Sequence, residues 1–568
     1  MNYLDLKSKA ENNWNLLANG SKPWIRVGTA LCGKAAGADA VIERVRGELS
    51  KNSIEAIINE VGCLGLCYAE PLVDILNPGG SRVFYRNVTP EMVPELIESH
   101  LKRNQPLNKY AIGYLGPTPI YGLIPITELA TMKPQVRIAL RNAGHIDPGD
   151  IQHYLANGGY LGLHKALTEM TPETVIEEIT TSGLRGRGGA GFPTAIKWKF
   201  LIGSNEPVKY ILCNCEEGDP GAFNDKGILD SDPHTLLEGI IIAGYATKAS
   251  KGYIFIRHGH DGPIDRAQRA ITEAYNNGLL GKNILESEFN FDVEVSLTGD
   301  SYVSGEETAL MESIEGKRAM PRYRPPFPAQ FGLWGKPSNI NNVKTLSYVP
   351  EIIAKGGKWF SGFGVNKSTG TAILCLTGDV VYPGMYEIPM GLTIREVIYD
   401  IAGGIPGNKK LKILQTGGPL GGVLNTSKID VPLDFEAMAE AGAILGSGGI
   451  IIGDEDICAV DLTRVLVAFC QFESCGKCFP CRLGTTHLLE ILERICRGDG
   501  DDKDMTQMES IGKSLQAGSL CGHGQLGFNP VKSAFQYFAE DFKIHIKEKR
   551  CPTGKCSTIM VSPSRTRP

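Results

Sequence analysis

Residues 185–200 read RGRGGAGFPTAIKWKF, a loop in which glycines are interleaved with Arg185, Arg187 and Lys197. Glycine lets backbone N–H groups close around an anion, and the start of a following helix adds positive potential. The preceding stretch, TPETVIEEITTSG at 171–183, has the apolar spacing of a helix. A Rossmann-type dinucleotide loop follows a strand instead. The sequence therefore predicts an anion-binding loop that is not an ordinary Rossmann turn; a merely flexible loop is the alternative.

The composition is that of a globular enzyme class. The chain has 568 residues, of which 42% are hydrophobic and 21% charged, and this length predicts about three to five domains. Lys and Arg number 58 against 63 Asp and Glu, a net charge of −5. Without a basic field, nucleic-acid binding is not expected. No signal peptide and no apolar run of about 18 residues is visible, so we expect a cytoplasmic protein that does not insert into a membrane.

Short strands and helices alternate over most of the chain, which predicts a multidomain α/β fold. A connector rich in Pro, Gly and Tyr separates a small first unit from the rest. The expected segments are an α/β unit of thioredoxin-like size at 20–105, the linker at 106–130, a large α/β domain at 131–362, a β-grasp-like insertion at 363–453, a mostly helical region at 454–548 and a tail at 549–568.

Three further polar segments accompany the glycine loop. NCEEGDPGAFNDK at 214–226 follows an apolar strand, and its carboxylates could accept from ribose or flavin groups, hold a metal, or form a solvated acidic loop. SYVSGEETALMESIEG at 301–316 and RYRPPFPAQFGLWGKPSNINNVKT at 322–345 add acidic, aromatic and amide side chains. Taken alone, each of these segments is ambiguous.

The fifteen cysteines are clustered, and clustered thiols in a reducing compartment indicate metal ligands. Cys475, Cys478 and Cys481 form C-x2-C-x2-C, the spacing typical of a [4Fe-4S] cluster. Cys521 and Cys496 are the candidates for the fourth ligand, and Cys496 stands on an apolar helix face, where a structural thiol is more common.

A second set of metal ligands is expected near the C-terminus. His545, Cys551 and Cys556, joined by Cys458, suit a tetrahedral structural zinc ion, with unliganded tail cysteines as the alternative.

The ordered motifs GRGGAGFPTAIKW, NCEEGDPGAFND, SGEETALMESIEG, PPFPAQFGLWGKPSNINNVKT and ESCGKCFPCRLGT resemble one known family. It is that of the NADH-binding, FMN-containing flavoprotein subunit of respiratory complex I. The resemblance is stronger still to the relatives of that subunit in soluble NAD-linked hydrogenases and formate dehydrogenases, some of which bifurcate electrons. It spans about residues 131–550, and it implies a Rossmann-like FMN and NADH domain, an SLBB-type β-grasp insertion and a helical iron–sulfur domain.

The resemblance also implies roles for individual residues. No catalytic side chain is expected, because the flavin performs the hydride transfer. The FMN-binding positions are Gly186, Arg187, Gly188, Gly189, Lys197, Asn214, Glu216, Asn341, Asn342 and Thr345. Further flavin-side or nucleotide-side polar contacts are Asp219, Tyr302, Gly305, Glu306, Glu307 and Arg324. NADH would stack on Phe192, Phe200 and Phe327. Asp219 departs from the family, which usually has Glu there, and Cys215 replaces a small residue.

The family also bears on the cysteines. In that family the fourth ligand of the [4Fe-4S] cluster is a cysteine far along the chain from the first three, and Cys521 matches its position. Cys63 and Cys67 resemble half of a thioredoxin-like [2Fe-2S] domain, but upstream only Cys32 is present, and Val27 and Gly28 stand where its partner would lie. Two alternatives follow: a [2Fe-2S] cluster with a ligand other than cysteine, or a degenerate scaffold without a cluster.

The sequence thus predicts an NAD(H)-dependent electron-transfer subunit carrying FMN and a [4Fe-4S] cluster. A bifurcating subunit that also couples to ferredoxin is the alternative, and a scaffold that no longer binds nucleotide is the rival from another class. The expected partners are a thioredoxin-like [2Fe-2S] subunit, an iron–sulfur subunit and a terminal hydrogenase, formate dehydrogenase or other reductase.

Overall fold

The N-terminal unit of the computed structural model, which describes residues 2–556, is built on a mixed sheet. Its strand order is β2-β1-β3-β4-β5, and β1 and β2 are parallel whereas the other pairs are antiparallel. The strands are β1 Trp24–Gly28, β2 Ile57–Val61, β3 Val73–Leu76, β4 Arg82–Tyr85 and β5 Ala111–Leu115. The α-helices are α1 Tyr3–Ala18, α2 Leu31–Ala35, α3 Ala38–Lys51 and α4 Val93–Leu96.

The predicted linker at 106–130 is not a free connector. Its residues 111–115 form β5, which pairs with β4 and completes the sheet. The flanking Pro, Gly and Tyr residues gave this segment the composition of a loop, while the short run AIGYL carried too little pattern to predict an edge strand. Helix α1 likewise packs away from its own sheet, because Tyr3, Leu6 and Ala10 join the core of the next domain.

The central domain is a parallel sheet with the strand order β8-β7-β6-β9. Its strands are β6 Tyr210–Cys215, β7 Lys251–Arg257, β8 Asp292–Thr298 and β9 Ser338–Asn342. The α-helices that accompany it are α5 Ile151–Ala156, α6 Leu161–Glu169, α7 Pro172–Ser182, α8 Thr194–Ile202, α9 Asn224–Ser231, α10 Pro233–Thr247, α11 Asp261–Asn276, α12 Glu307–Ile314, α13 Val343–Lys355 and α14 Gly357–Ser361. Helix α10 is buried along almost its whole length, which suits a parallel sheet covered by helices.

Helix α7 precedes the glycine loop, as the sequence predicted. Thr171 caps it by accepting from the Thr174 amide at 3.2 Å, and its own amide donates to the Thr174 hydroxyl at 2.8 Å. Gly183 ends the helix with a φ of +66°, a left-handed conformation that glycine adopts without steric cost. The loop therefore lies between two helices.

The insertion is a short hairpin followed by a second mixed sheet. The hairpin pairs β10 Gly364–Val365 with β11 Ser368–Thr369. The sheet has the order β13-β12-β16-β14-β15 and packs with helix α15, Phe435–Glu440. Its strands are β12 Thr371–Gly378, β13 Gly384–Pro389, β14 Leu411–Thr416, β15 Val423–Asn425 and β16 Gly449–Asp454.

The last region is helical, as predicted. Its α-helices are α16 Ala459–Phe472, α17 Phe479–Cys496, α18 Asp504–Gly518, α19 Gly522–Leu526 and α20 Asn529–Lys543. Of the predicted tail, residues 549–556 return to this bundle and bury Cys556 completely, while 557–568 lie outside the described residues. Within 2–556, no helix has both the length and the apolar character that a membrane crossing requires.

Candidate functional site

The polar segments singled out in the sequence meet at one edge of the central sheet. Strands β6 and β9 are parallel neighbours, so their carboxyl ends place Asn214 and Asn342 side by side. Ligands of open α/β sheets bind outside these carboxyl ends. The glycine loop reaches the same edge from the end of α7, so the topology brings together segments more than a hundred residues apart.

The glycine loop closes on the start of α13. The Arg187 amide donates to the Thr345 hydroxyl at 2.9 Å, and the Gly186 amide donates to the Phe192 carbonyl at 2.8 Å. A Cβ atom at Gly188 would lie 2.8 Å from the Cβ of Asn342. Only glycine allows this close approach, so the loop backbone lies directly against the amide side chain at the end of β9.

The guanidinium of Arg187 is not directed at an anion. It donates to the carbonyls of Thr371 at 3.1 Å, Arg185 at 3.0 Å and Thr369 at 2.6 Å. Burial lowers the pKa of Arg187, although the nearby Tyr348 opposes that shift. The side chain fastens the loop to the insertion, and the Arg187 amide is engaged by Thr345, so a role for Arg187 in holding the FMN phosphate stays a prediction.

Lys197 stands one turn into α8 and faces the same edge. Its ammonium forms an ion pair with Glu307 and donates to the Ile340 carbonyl at 3.0 Å. The buried Trp198 indole donates to the Asn341 side chain at 3.0 Å, which fixes that amide. The contact with the Ile340 carbonyl holds the Lys197 ammonium beside β9.

The acidic segment after β6 is organised by its neighbours. Asn214 donates to the Gly305 carbonyl at 2.8 Å, and the Glu216 amide donates back to the Asn214 side chain at 3.1 Å. The Glu216 carboxylate lies 3.0 Å from the Arg257 guanidinium. Burial raises the pKa of Glu216 to about 8, with Arg257 acting against that rise.

Asp219 carries a buried oxygen that lacks a protein partner among the described residues. One carboxylate oxygen accepts from the Ser447 hydroxyl at 2.7 Å, and the other, Oδ1, is the unpartnered atom. Burial raises the pKa of Asp219 to about 6, and the Ser447 hydrogen bond opposes the shift. An unpartnered buried acceptor costs free energy unless a ligand or water satisfies it, so this position fits a bound polar group.

Sequence reasoning missed Lys344, which organises the floor of the site. Its ammonium lies 2.9 Å from Asp225 and 2.7 Å from the Asn224 side-chain oxygen, and Asn342 donates to Asp225 at 2.6 Å. Burial lowers the pKa of Lys344, but the negative charges of Asp225 and Glu217 have the larger effect and hold that pKa above its ordinary value. A lysine two residues after Asn342, in NNVKT at 341–345, was the available signal.

The three phenylalanines expected to stack on NADH are exposed. Phe192, Phe200 and Phe327 are 43%, 60% and 54% exposed, which is unusual for phenylalanine and suits stacking on a planar ligand. Arg324 lies within 3.7 Å of Glu306 and 3.6 Å of Glu307. Glu306 also caps α12 by accepting from the Thr308 amide at 2.9 Å.

The cluster cysteines lie at the N-terminal end of α17 and on the loop before α19. The Leu520 amide, next to Cys521, is 3.5 Å from the Cys478 sulfur. Burial raises the pKa values of Cys481 and Cys521 to about 11, and neighbouring cysteines add to the rise. Such thiols need a metal to hold them as thiolates.

The rival fourth ligand, Cys496, is too far away. It ends α17, fifteen residues after Cys481, a separation of about 22 Å along a helix. The contact of the Leu520 amide with the Cys478 sulfur places the adjacent Cys521 near the cluster loop, and its role as the fourth ligand stays a prediction.

Three family models match the chain: the Nuo51 FMN-binding domain over residues 179–351, the SLBB domain over 373–424, and the NADH-ubiquinone oxidoreductase-F iron-sulfur binding region over 461–545. The NADP-reducing hydrogenase subunit HndC of Solidesulfovibrio fructosivorans is 46% identical over 430 residues, 76% of this chain and 87% of that protein. The F 2 subunit of NADH-quinone oxidoreductase in Rhizobium meliloti (strain 1021) is 42% identical over 415 residues, 73% of this chain and 99% of that protein.

The chain belongs to the family of NADH-quinone oxidoreductase F subunits. The fold agrees, because the crystal structure of the NAD+-reducing [NiFe]-hydrogenase in the H2-reduced state matches with a TM-score of 0.65 at 25% identity, over 96% of this chain and 87% of that one.

Membership in this family confirms several predictions. The fold class is confirmed, as are FMN, NAD(H) and one [4Fe-4S] cluster as cofactors and an NADH oxidoreductase activity that moves electrons among them. The named relatives are subunits of larger enzymes, which confirms that proteins of this kind act inside multi-subunit complexes.

Two further ligand clusters fall largely outside the regions that the three family models match. Cys458, His545, Cys551 and Cys556 bring one ligand atom each within 4.8 Å of one another. His545 is 3.4 Å from the Cys458 sulfur, and its other ring nitrogen is 2.7 Å from the Asp541 carbonyl. The second cluster consists of Cys32, Cys63 and Cys67 in the N-terminal unit.

Proposed function

We propose that this chain oxidises NADH or reduces NAD+ at an FMN bound between the glycine loop, the acidic segment after β6 and the start of α13. The observation that carries the proposal is the turn Tyr302–Gly305. Its Gly305 carbonyl accepts from Asn214 on the flavin side, while its Tyr302 amide donates to Glu473 at 2.9 Å. Glu473 stands two residues before the first cluster cysteine. One short turn thus joins the flavin pocket to the cluster loop.

The chemistry that a bound FMN would supply is the conversion of a hydride, a two-electron donor, into single electrons suited to an iron–sulfur cluster. The chain's own residues position the two ring systems. The loop amides and Lys197 would hold the phosphate, and Asn214, Asn342 and Thr345 would orient the flavin. The exposed phenylalanines would stack on NADH and keep water from the facing rings.

Gly186 allows a direct test of where the flavin binds. A Cβ atom there would meet nothing closer than 3.5 Å, and its φ is not in the left-handed region, so the protein itself accommodates alanine. We expect Gly186→Ala to fold normally but to lose FMN, because the added methyl group would narrow the glycine loop beside the Phe192 backbone. Gly47→Ala is the matched control, since a Cβ atom at Gly47 meets nothing within 4 Å.

The assay follows flavin absorbance in purified, iron-replete protein titrated anaerobically with NADH. Wild type and Gly47→Ala should bleach, and Gly186→Ala should not. Full FMN retention by a folded Gly186→Ala variant would contradict the placement of the phosphate. A wild-type chain that binds FMN but never responds to nucleotide would support the scaffold alternative instead.

We further propose that the physiological partner is a hydrogenase or another reductase with its own iron–sulfur subunits. The support is the greater identity to the NADP-reducing hydrogenase subunit HndC than to the quinone-linked relative. Titration with both NADH and NADPH decides the nucleotide. Purification of the native complex identifies the terminal enzyme, and a requirement for ferredoxin in its turnover would favour the bifurcating alternative.

The C-terminal cluster would hold a structural zinc ion. One histidine and three thiols match a closed tetrahedral zinc site, and the contact of His545 with the Asp541 carbonyl is the kind of second hydrogen bond that orients such ligands. We expect Cys551→Ser/Cys556→Ser to lose about one zinc per chain while flavin reduction persists. Retention of all zinc by this variant would contradict the assignment.

A further inference from the structure

The three N-terminal thiols are packed as neighbours. The sulfurs of Cys32, Cys63 and Cys67 all lie within 4.8 Å of one another, and those of Cys32 and Cys67 are 3.2 Å apart. Among the described residues, the [4Fe-4S] cysteines form no group this tight. The N-terminal thiols are therefore arranged differently from the cluster ligands of the same chain.

This spacing does not fit a [2Fe-2S] cluster. In a [2Fe-2S] cluster, two irons are joined by bridging sulfides, and three cysteine ligands must be divided between those irons. At least one thiolate then lies across the sulfides from the others, so the three cysteine sulfurs cannot all be close neighbours. A single tetrahedral ion has the opposite geometry. With metal–sulfur bonds of about 2.3 Å, its thiolates lie about 3.8 Å apart. The spacing therefore matches one ion.

A carboxylate occupies the place where a fourth cysteine would be. A Cβ atom built on Gly28 would lie 2.9 Å and 3.2 Å from the two carboxylate oxygens of Glu70. A Cβ atom on Gly33 would also lie 3.2 Å from Glu70 Oε2. Val27 points to the other side, into the core of the N-terminal sheet. The Glu70 carboxylate thus fills the space that a side chain at residue 28 would need.

Glu70 is buried and only partly satisfied by backbone groups. Its Oε2 atom accepts from the Leu72 amide at 2.8 Å, which anchors the carboxylate beside the thiols. A buried carboxylate needs a proton or a cation to offset its lost hydration. A divalent cation bound beside the three thiols is the partner that would offset this charge and also hold the thiols as thiolates.

We propose that Cys32, Cys63, Cys67 and Glu70 bind one zinc ion in place of the family's [2Fe-2S] cluster. Thiolates select zinc over magnesium or calcium, and zinc accepts carboxylate oxygen as a fourth tetrahedral ligand. Binding releases the thiol protons to solvent and transfers no electron.

The site joins the N-terminal unit to the flavin domain. The Leu31 amide donates to Asp230 at 3.2 Å and the Cys63 amide donates to Ser231 at 3.1 Å, both at the end of α9. The other end of α9 carries Asn224 and Asp225, which contact Lys344. The eight residues of α9 span about 12 Å. A structural zinc ion at this point would stabilise the contact between the two units. Because zinc has no redox chemistry, it would also end electron flow in that direction.

The test compares metal content in the full-length chain, purified without oxygen and reconstituted with iron and sulfide. We expect Cys32→Ser/Cys67→Ser to lose about one zinc per chain, to keep about four irons and to keep NADH-driven flavin reduction. Because the C-terminal cluster also binds zinc in our proposal, the comparison is repeated in the Cys551→Ser/Cys556→Ser background. There the N-terminal variant should leave the protein without stoichiometric zinc.

Glu70 is tested separately, so that a misfolded cysteine variant cannot decide the question. Glu70→Ala should release its zinc to a chelator at least about tenfold faster than wild type. Glu55→Ala is the control, because Glu55 is exposed and pairs only with Lys22 in the same unit. Equal release from Glu70→Ala and wild type would remove Glu70 from the ligand set.

Two other results would overturn the proposal. One is about two additional irons per chain, with an electron paramagnetic resonance signal of a reduced [2Fe-2S] cluster that the Cys32→Ser/Cys67→Ser variant lacks. The other is three reactive thiols with no bound metal, which would make the unit a degenerate scaffold. Neither result would affect the flavin assignment, which is read from FMN retention.

Discussion

Replacing Lys344 by methionine tests whether the flavin site depends on a buried ion pair. Lys344 and Asp225 are both almost fully buried, and their charged atoms are 2.9 Å apart. Methionine fills a similar volume but leaves the Asp225 carboxylate with the Asn342 amide in place of a cation. Breaking a buried pair on one side costs about 3–5 kcal/mol. For a cooperative unit of about 150–250 residues, that cost lowers Tm by about 6–20 °C.

Differential scanning calorimetry of the full chain measures this shift. The transition of the central domain is the one that moves upward when FMN is added, because a ligand stabilises the state that binds it. Lys336→Met is the control: Lys336 is exposed and pairs with Glu206 at 3.0 Å, a surface contact that contributes about 0–1 kcal/mol. Asp225→Asn/Lys344→Met should recover part of the loss, since it leaves no unpaired charge. If Lys344→Met shifts Tm no more than Lys336→Met, the buried pair does not stabilise the domain.

Three further outcomes are expected. Cys521→Ser should abolish the [4Fe-4S] absorbance while Cys496→Ser retains it; the reverse result in iron analysis would exchange their roles. Phe327→Ala should raise the KM for NADH about two- to tenfold, from a lost stacking energy of about 0.5–1.5 kcal/mol, with little change in kcat. Tyr121→Ala, at an exposed position far along the chain, should leave KM unchanged; equal effects would make Phe327 a surface residue only. Asp219 gains its negative charge as pH rises through about 6. A nearby negative charge disfavours reduction of the flavin, so the flavin reduction potential should fall more steeply with pH over that range. Asp219→Asn should remove this inflection in a spectroelectrochemical titration, and its persistence would separate Asp219 from the flavin.

The parts of the fold that follow local rules were predictable from the sequence. Helix α7 has apolar residues at helical spacing, a Thr cap and a terminal glycine, so its sequence predicts a helix. A helix before the glycine loop also excludes an ordinary Rossmann turn there. The C-x2-C-x2-C spacing of Cys475, Cys478 and Cys481, at the start of α17, is also a local pattern and indicated the iron–sulfur cluster. Strand β5 failed these rules, because five residues between turn-forming neighbours show no clear alternation.

The direction of individual side chains was not predictable. Arg187 stands in a loop typical of anion binding, yet its guanidinium donates hydrogen bonds to backbone carbonyls of the insertion. Lys344 acts through Asn224 and Asp225, which are distant in sequence and which no spacing rule connects to it. Sequence patterns thus located the segments of the site, while tertiary packing decided which polar atoms remained available to a ligand.

The arrangement of the contacts implies a preferred exit for electrons. Two segments lead away from the flavin edge: α9 toward the N-terminal thiols, and the Tyr302–Gly305 turn toward the cluster loop. The turn is linked to that loop by the Tyr302–Glu473 hydrogen bond, and Lys477 donates to the Pro321 carbonyl at 2.6 Å nearby. These contacts hold the flavin pocket and a redox-active cluster in a fixed relation. If the α9 direction ends at zinc, the cluster loop, which the exposed Phe472 and Phe479 flank, is the path by which electrons leave the flavin edge.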